Sequence, residues 1–235
     1  MSIAENVAAV RRQIAAAADA CGRDPAEIRL CAATKMNDAE AVREAIRAGV
    51  DLCGENRVQE LTAKLSENAY EGAEVLFIGQ LQTNKGRQVV GRVSLIQSVD
   101  SLRLLDAVQA EAARQGIVQA VLLEVNIGQE ESKSGFDKEE IRKIVNKLSN
   151  YPNIYLKGLM AIPPISQNPG DNRKFFQEMC NLSVDITAKK SDNVSMDILS
   201  MGMSGDFADA IACGSTMIRL GTAIFGPRNY TKSHL

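Results

Sequence analysis

Ile28 to Lys35, IRLCAATK, is a short and mostly apolar run that stops at a lysine. A run of this kind reads as a buried strand of a parallel sheet, because helices cover both faces of such sheets. Lys35 is the only charge facing whatever lies beyond the strand end, and in α/β barrels and doubly wound sheets ligands sit at that end. Two readings of Lys35 follow. Desolvated, its amine loses proton affinity and becomes a nucleophile able to form a Schiff base with a carbonyl ligand. Otherwise the side chain simply turns into water.

The pattern around this strand repeats. Ser2 and Glu5 form a capping box, after which Val7, Val10, Ile14 and Ala17/Ala18 recur at helical spacing up to Gly22. After IRLCAAT, Asn37 or Asp38 caps a second helix with Val42, Ala45 and Ile46 on one face, ended by Gly49. VDLCG then leads into ENRVQELTAKLSENA, VLFIG into TNKGRQVVG, and VSLIQSV into DSLRLLDAVQAEAARQG. QAVLLEVNIG, IYLKGLMAI and VSMDILSM each precede another helical stretch, and MIRLG is last. Eight strands alternating with helices leave a closed (β/α)8 barrel or an open doubly wound sheet, and the count of eight favours the barrel. VDLC and VSLIQ are short, which keeps the open sheet in play.

The chain has 235 residues and no Pro/Ser-rich linker, so residues 1–235 read as a single domain. With 27 basic and 29 acidic residues and no basic run, nucleic acid is not the expected partner. No segment approaches the roughly 18 apolar residues of a membrane span. The five cysteines are odd in number and lack a C-x-x-C pair, which points to a reducing cytoplasmic setting and to Cys31 and Cys53 as small core residues. The one histidine, His234, is next to the last residue, so histidine acid/base chemistry is not expected.

Leu199 to Gly226, LSMGMSGDFADAIACGSTMIRLGTAIFG, is the densest chemical signal. Ser200, Gly202, Ser204 and Gly205 follow the seventh strand, and Gly221 and Thr222 follow the eighth. In barrels these two loops often bind phosphate through close backbone N–H groups and hydroxyls. Arg219 alternates with Ile218 and Leu220, so it points into the barrel if they pack on helices. A buried guanidinium needs a carboxylate, carbonyl or ligand partner, and a structural salt bridge and a ligand contact are both open. Gly54 to Arg57, Gln82 to Lys85, and Glu124 to Gly128 running into Glu131, Lys133 and Gly135 place further polar loops on the same face.

The stretches CGENRVQE (53 to 60), FIGQLQTNK (77 to 85), VNIGQEESKSGF (125 to 136), GLMAIPP (158 to 164) and the two C-terminal motifs, with Thr34-Lys35, resemble the YggS/PROSC family of pyridoxal phosphate homeostasis proteins. That family is similar to the barrel domain of bacterial alanine racemase. The resemblance spans nearly the whole chain and implies a single (β/α)8 TIM barrel of the alanine racemase N-terminal type with an extra N-terminal helix. It implies pyridoxal 5′-phosphate (PLP) on Lys35 as a Schiff base, phosphate contacts from Ser200, Gly221 and Thr222, Arg219 facing the pyridine nitrogen, and Asn56 and Met201 lining the cofactor. Leu76, Cys53 and Arg57 depart from the family pattern, which has a histidine, an aromatic and a tyrosine there.

An arginine at the ring nitrogen disfavours its protonation and so makes a poor electron sink. Racemisation also needs a second acid/base opposite the lysine. Tyr70, Tyr151 and Tyr155 fall at helix ends or before a strand, Tyr230 is in the tail, and no residues remain for a second domain. The expected protein is therefore a cytoplasmic, monomeric PLP carrier, without a membrane or nucleic-acid partner, that buffers PLP or delivers it to PLP-dependent apo-enzymes. The alternatives are a fold-type-III amino-acid racemase and a class I aldolase using the same lysine without cofactor.

Overall fold

The computed structural model describes residues 1–130, 133–165, 168–187 and 192–227. Glu131, Tyr230 and His234, named above, lie outside the described residues. Eight parallel strands close into a barrel in chain order: β1 (Arg29–Ala33), β2 (Leu52–Glu55), β3 (Glu74–Phe77), β4 (Leu95–Val99), β5 (Gln119–Val125), β6 (Ile154–Ala161), β7 (Val194–Ser200) and β8 (Met217–Leu220). Closure is explicit at β1, which pairs with β2 through Cys31 and Leu52 and with β8 through Leu30 and Ile218. The open sheet is thus excluded, and both short candidate strands, β2 and β4, are staves of the barrel.

The helices are α1 (Ile3–Asp19), α2 (Ala39–Arg47), α3 (Val58–Ser66), α4 (Leu102–Gln115), α5 (Lys138–Asn146), α6 (Arg173–Thr187), α7 (Phe207–Ala212) and α8 (Thr222–Phe225). Asp38, not Asn37, caps α2, its carboxylate accepting from the Ala41 amide at 2.9 Å. The segment between β3 and β4 departs from the expected helix and forms only a 3-10 helix, Thr83–Gln88. Gly86 in its middle, β-branched Val89 and Val90 at its end and Gly91 at φ +76° do not sustain an α-helix there.

Strand alternation sorts the apolar residues into two layers. Cys31, Leu52, Leu76, Leu95, Leu122 and Met217 fill the barrel interior. Their neighbours Leu30, Cys53, Phe77, Ile96, Leu123 and Ile218 pack outward against the helices. Removing a side chain such as Leu76 or Leu122 costs about 2–5 kcal/mol, because an interior this dense cannot collapse around the void.

α1 explains the extra N-terminal element. Its capping box is formed by the Glu5 amide on Ser2 Oγ at 3.2 Å and the Ser2 amide on Glu5 Oε2 at 2.8 Å. Val7, Val10, Ile14 and Ala18 are buried, and the helix lies against α2, α7 and α8. α8 is a single turn, so α1 takes the place in the outer ring that a full eighth helix would fill. Asn6 Nδ2 ties the two together by donating to the Ile224 carbonyl at 2.9 Å. Among the described residues no helix is long and apolar enough to cross a membrane.

Candidate functional site

The carboxyl ends of the strands gather the polar loops into one mouth. β1 ends at Ala33, and the chain turns through Thr34, Lys35 and Met36. Lys35 is half-buried and lines a cavity of about 220 Å³ together with Ala33, Gly221, Thr222 and Phe225. An amine at the tip of the first strand and the backbone after the eighth therefore face one space. Thr222 Oγ1 donates to Ser204 Oγ at 3.4 Å, which joins the β8 loop to the β7 loop. Gly202, in that β7 loop, has φ +98°, and a Cβ there would stand 2.7 Å from Ala210 Cβ, so only glycine lets the loop pass so close to α7.

Arg219 points into the barrel as its register with Ile218 and Leu220 requires, and it is 6% exposed. Among the described residues it has no ion pair. Nη1 donates to Ser200 Oγ at 2.6 Å and Nη2 to the Ala161 carbonyl at 3.0 Å. Ser200 Oγ in turn donates to Gln97 Oε1 at 2.7 Å. Burial pulls the Arg219 guanidinium below its ordinary pKa, opposed by Cys31, Glu124 and Asp206. Neutral acceptors hold its geometry without cancelling its charge, which stays available to the mouth.

Ser200 and Met201, both expected beside the cofactor, point to opposite sides of β7. The Ser200 hydroxyl is fully buried between Gln97 and Arg219 and orients the arginine. Ser204, four residues on, supplies the exposed hydroxyl beside Thr222. Met201 is fully buried among the outer apolar layer, with its amide on the Met217 carbonyl, because the strand parity that sends Ser200 inward sends Met201 outward. Asn56 lies at the mouth after β2, lining a neighbouring cavity with Ile78, Glu124 and Met160, and its Oδ1 is buried without a hydrogen-bond partner. A Cβ on Gly79 would come within 2.1 Å of the Asn56 carbonyl, so the β3 loop needs glycine to seat Asn56.

Glu124 was named in the sequence only as part of a polar loop. It sits on β5 at inward parity with Leu122, across the barrel from β1, and lines the cavity that holds Asn56 and Lys133. Burial raises its carboxyl to about 7, with Asp100 adding to the effect and Arg219 opposing it. An ionisable group in the apolar run VLLEV was the available signal, as was Gln97 in LIQSV. By contrast, burial pushes the Cys31 and Cys53 thiols up to about 12, so both are inert core residues at neutral pH.

Comparison with known proteins fits this geometry. The family model of the alanine racemase N-terminal domain matches residues 5–229. The pyridoxal phosphate homeostasis protein of Aquifex aeolicus is 39% identical over 230 residues, which cover 98% of this chain and 100% of that one. Its counterpart in Escherichia coli K12 is 41% identical over 234 residues, covering 98% of each. The chain belongs to the pyridoxal phosphate homeostasis protein family. Among solved structures, PipY of Synechococcus elongatus with PLP bound matches at a TM-score of 0.83 and 32% identity, over 96% of this chain and 100% of that one. Alanine racemase from Streptomyces coelicolor shares the fold, with a TM-score of 0.67 and 18% identity over 93% of this chain and 58% of that one.

The departures from the homeostasis family's pattern fall on packing and surface positions. Leu76 fills the barrel interior and Cys53 the outer layer. Arg57 precedes α3 with a side chain 69% exposed, reaching Glu60 at 3.7 Å. None of the three lines the cavity shared by Lys35, Gly221 and Thr222.

Proposed function

We propose that this chain is a PLP-binding protein of cellular PLP homeostasis that holds the cofactor on Lys35 and buffers or delivers it, with little or no turnover. The observation that carries the reading is the single cavity bounded by the Lys35 amine and by Gly221 and Thr222, which one molecule with an aldehyde and an anionic tail can bridge. The residues suit PLP: a primary amine, two hydroxyls on adjoining loops, a glycine without Cβ and a buried guanidinium. Bound there, PLP supplies an aldehyde on an electron-withdrawing ring.

Lys35 would hold the cofactor through its amine. Ser200, Thr222 and the Gly221 backbone would hold the phosphate, with the Ser204 hydroxyl beside Thr222, and Met201 would line the cofactor from the end of β7. Arg219, oriented by Ser200 and the Ala161 carbonyl, would offer N–H donors to the ring nitrogen and so disfavour a proton there. Asn56 bounds the cofactor on the β2 side. A chain working this way functions as a single domain over 1–235, as a monomer in the cytoplasm, and hands PLP to PLP-dependent apo-enzymes.

The test is direct. Purified protein given PLP should develop an absorbance band near the visible edge that borohydride traps on Lys35, and Lys35→Ala should abolish it. A protein that takes up no PLP overturns the reading and favours a cofactor-independent class I aldolase.

One observation favours a second reading. An amino-acid racemase needs an acid/base facing the lysine, and Glu124 stands on the strand opposite β1 with its carboxyl raised to about 7. Alanine and serine racemisation by the PLP-loaded protein, lost in Glu124→Gln with PLP still bound, would establish it.

A further inference from the structure

We propose that Glu55, Lys64 and Glu60 form a charged bracket whose task is to aim Lys35, making them positioning residues for Schiff-base formation; this rests on the PLP reading above. The bracket holds the backbone on both sides of the lysine. Before it, the Thr34 carbonyl accepts from Lys64 Nζ at 2.7 Å and Thr34 Oγ1 donates to Glu55 Oε1 at 2.6 Å. Lys64 also donates to that same Glu55 oxygen, and Tyr70 donates to it at 3.0 Å. After it, the Met36 amide donates to Glu60 Oε2 at 2.7 Å, and Lys64 Nζ lies 3.7 Å from Glu60.

A network present only to stabilise the barrel would have no reason to end on residues 34 and 36. Glu55 is fully buried and Lys64 and Tyr70 are nearly so, and burying an ion pair gains little stability over an apolar pair of similar size. Met36 also adopts φ +62°, a left-handed conformation that costs a non-glycine residue energy and persists only where its surroundings over-determine it. The Glu60 bond falls on that residue's amide. α3 carries Glu60 and Lys64 one turn apart, and β2 ends in Glu55, so the β2–α3 unit clamps the turn that follows β1. What the clamp fixes is the direction in which Lys35 leaves the backbone, toward the cavity it shares with Gly221 and Thr222.

Glu60 is the member to test, since its side chain is 22% exposed and its loss leaves the Glu55–Lys64 pair intact. Stopped-flow absorbance would follow Schiff-base formation after PLP is added to native protein, Glu60→Ala and Glu60→Gln. Hydrogen exchange of the Met36 amide would be measured in each without ligand. Losing a hydrogen bond to a charged group slows imine formation about tenfold in Glu60→Ala, with faster Met36 exchange, while Glu60→Gln, which keeps an acceptor, stays within about threefold of native. An unchanged rate in Glu60→Ala, whatever its thermal stability, or an equal loss in both variants, overturns the bracket while PLP binding stands. No band in the native protein overturns the PLP reading and the proposal with it, and the Met36 exchange separates the two failures.

Discussion

Replacing Glu124 by glutamine should stabilise the ligand-free protein above neutral pH and do little below pH 5. The carboxyl sits in the barrel mouth, where burial and Asp100 raise it from the usual 4.5 to about 7 against the pull of Arg219. A group that holds its proton more tightly when folded than when unfolded makes stability fall as pH rises between those two values. Each tenfold change in proton affinity is worth about 1.4 kcal/mol, so the native state above pH 7 carries a penalty of about 3 kcal/mol from this residue. Glutamine keeps the shape and never ionises. Urea midpoints at pH 5 and pH 8 for both proteins give the comparison, because every other titration cancels in the difference. The variant should gain about 2–3 kcal/mol over its parent between the two pH values. Parallel pH profiles would show that Glu124 is hydrated like a surface carboxylate and that the mouth is not the dry space described.

Further expectations bear on the cup, the arginine and the charged network. Ser204→Ala with Thr222→Ala should weaken PLP retention at least tenfold with unfolding unchanged, whereas Ser200→Ala should act by loosening Arg219, which equilibrium dialysis against PLP and against phosphate-free pyridoxal separates. Lys64→Met leaves Glu55 buried without its cation and should cost about 3–5 kcal/mol by urea denaturation, while Glu55→Gln with Lys64→Met should recover much of that loss. Gly79→Ala drives a Cβ into the Asn56 carbonyl, so calorimetry should show a clear fall in Tm that Gly86→Ala, which meets nothing, does not.

The architecture was legible because apolar strand runs alternating with capped helices leave few topologies, and eight runs close a barrel. The 3-10 segment after β3 was harder, since glycines and β-branched residues there compete with the helical spacing of TNKGRQVV. That Lys35, Gly221 and Thr222 share one face was legible because position relative to the strand ends suffices to place them there. For Ser200 and Met201 strand parity decides what each faces: Ser200 turns inward to Gln97 and Arg219, and Met201 packs in the outer layer. Glu124, Gln97 and the Glu55–Lys64 pair are single polar residues inside or beside apolar runs. Their partners come from distant strands and helices, so only the closed barrel reveals what they face.

The docking of α1 onto α8 ties two distant parts of the chain together. α1 rests beside α8, with Asn6 bonded to Ile224, 218 positions along the chain, so this contact needs the whole barrel between them to be closed. Asn6 grips the same short turn that Thr222 opens, so whatever loosens α1 reaches the wall of the cavity that Lys35 lines. The outermost helix in the ring is thereby a brace for the innermost loop.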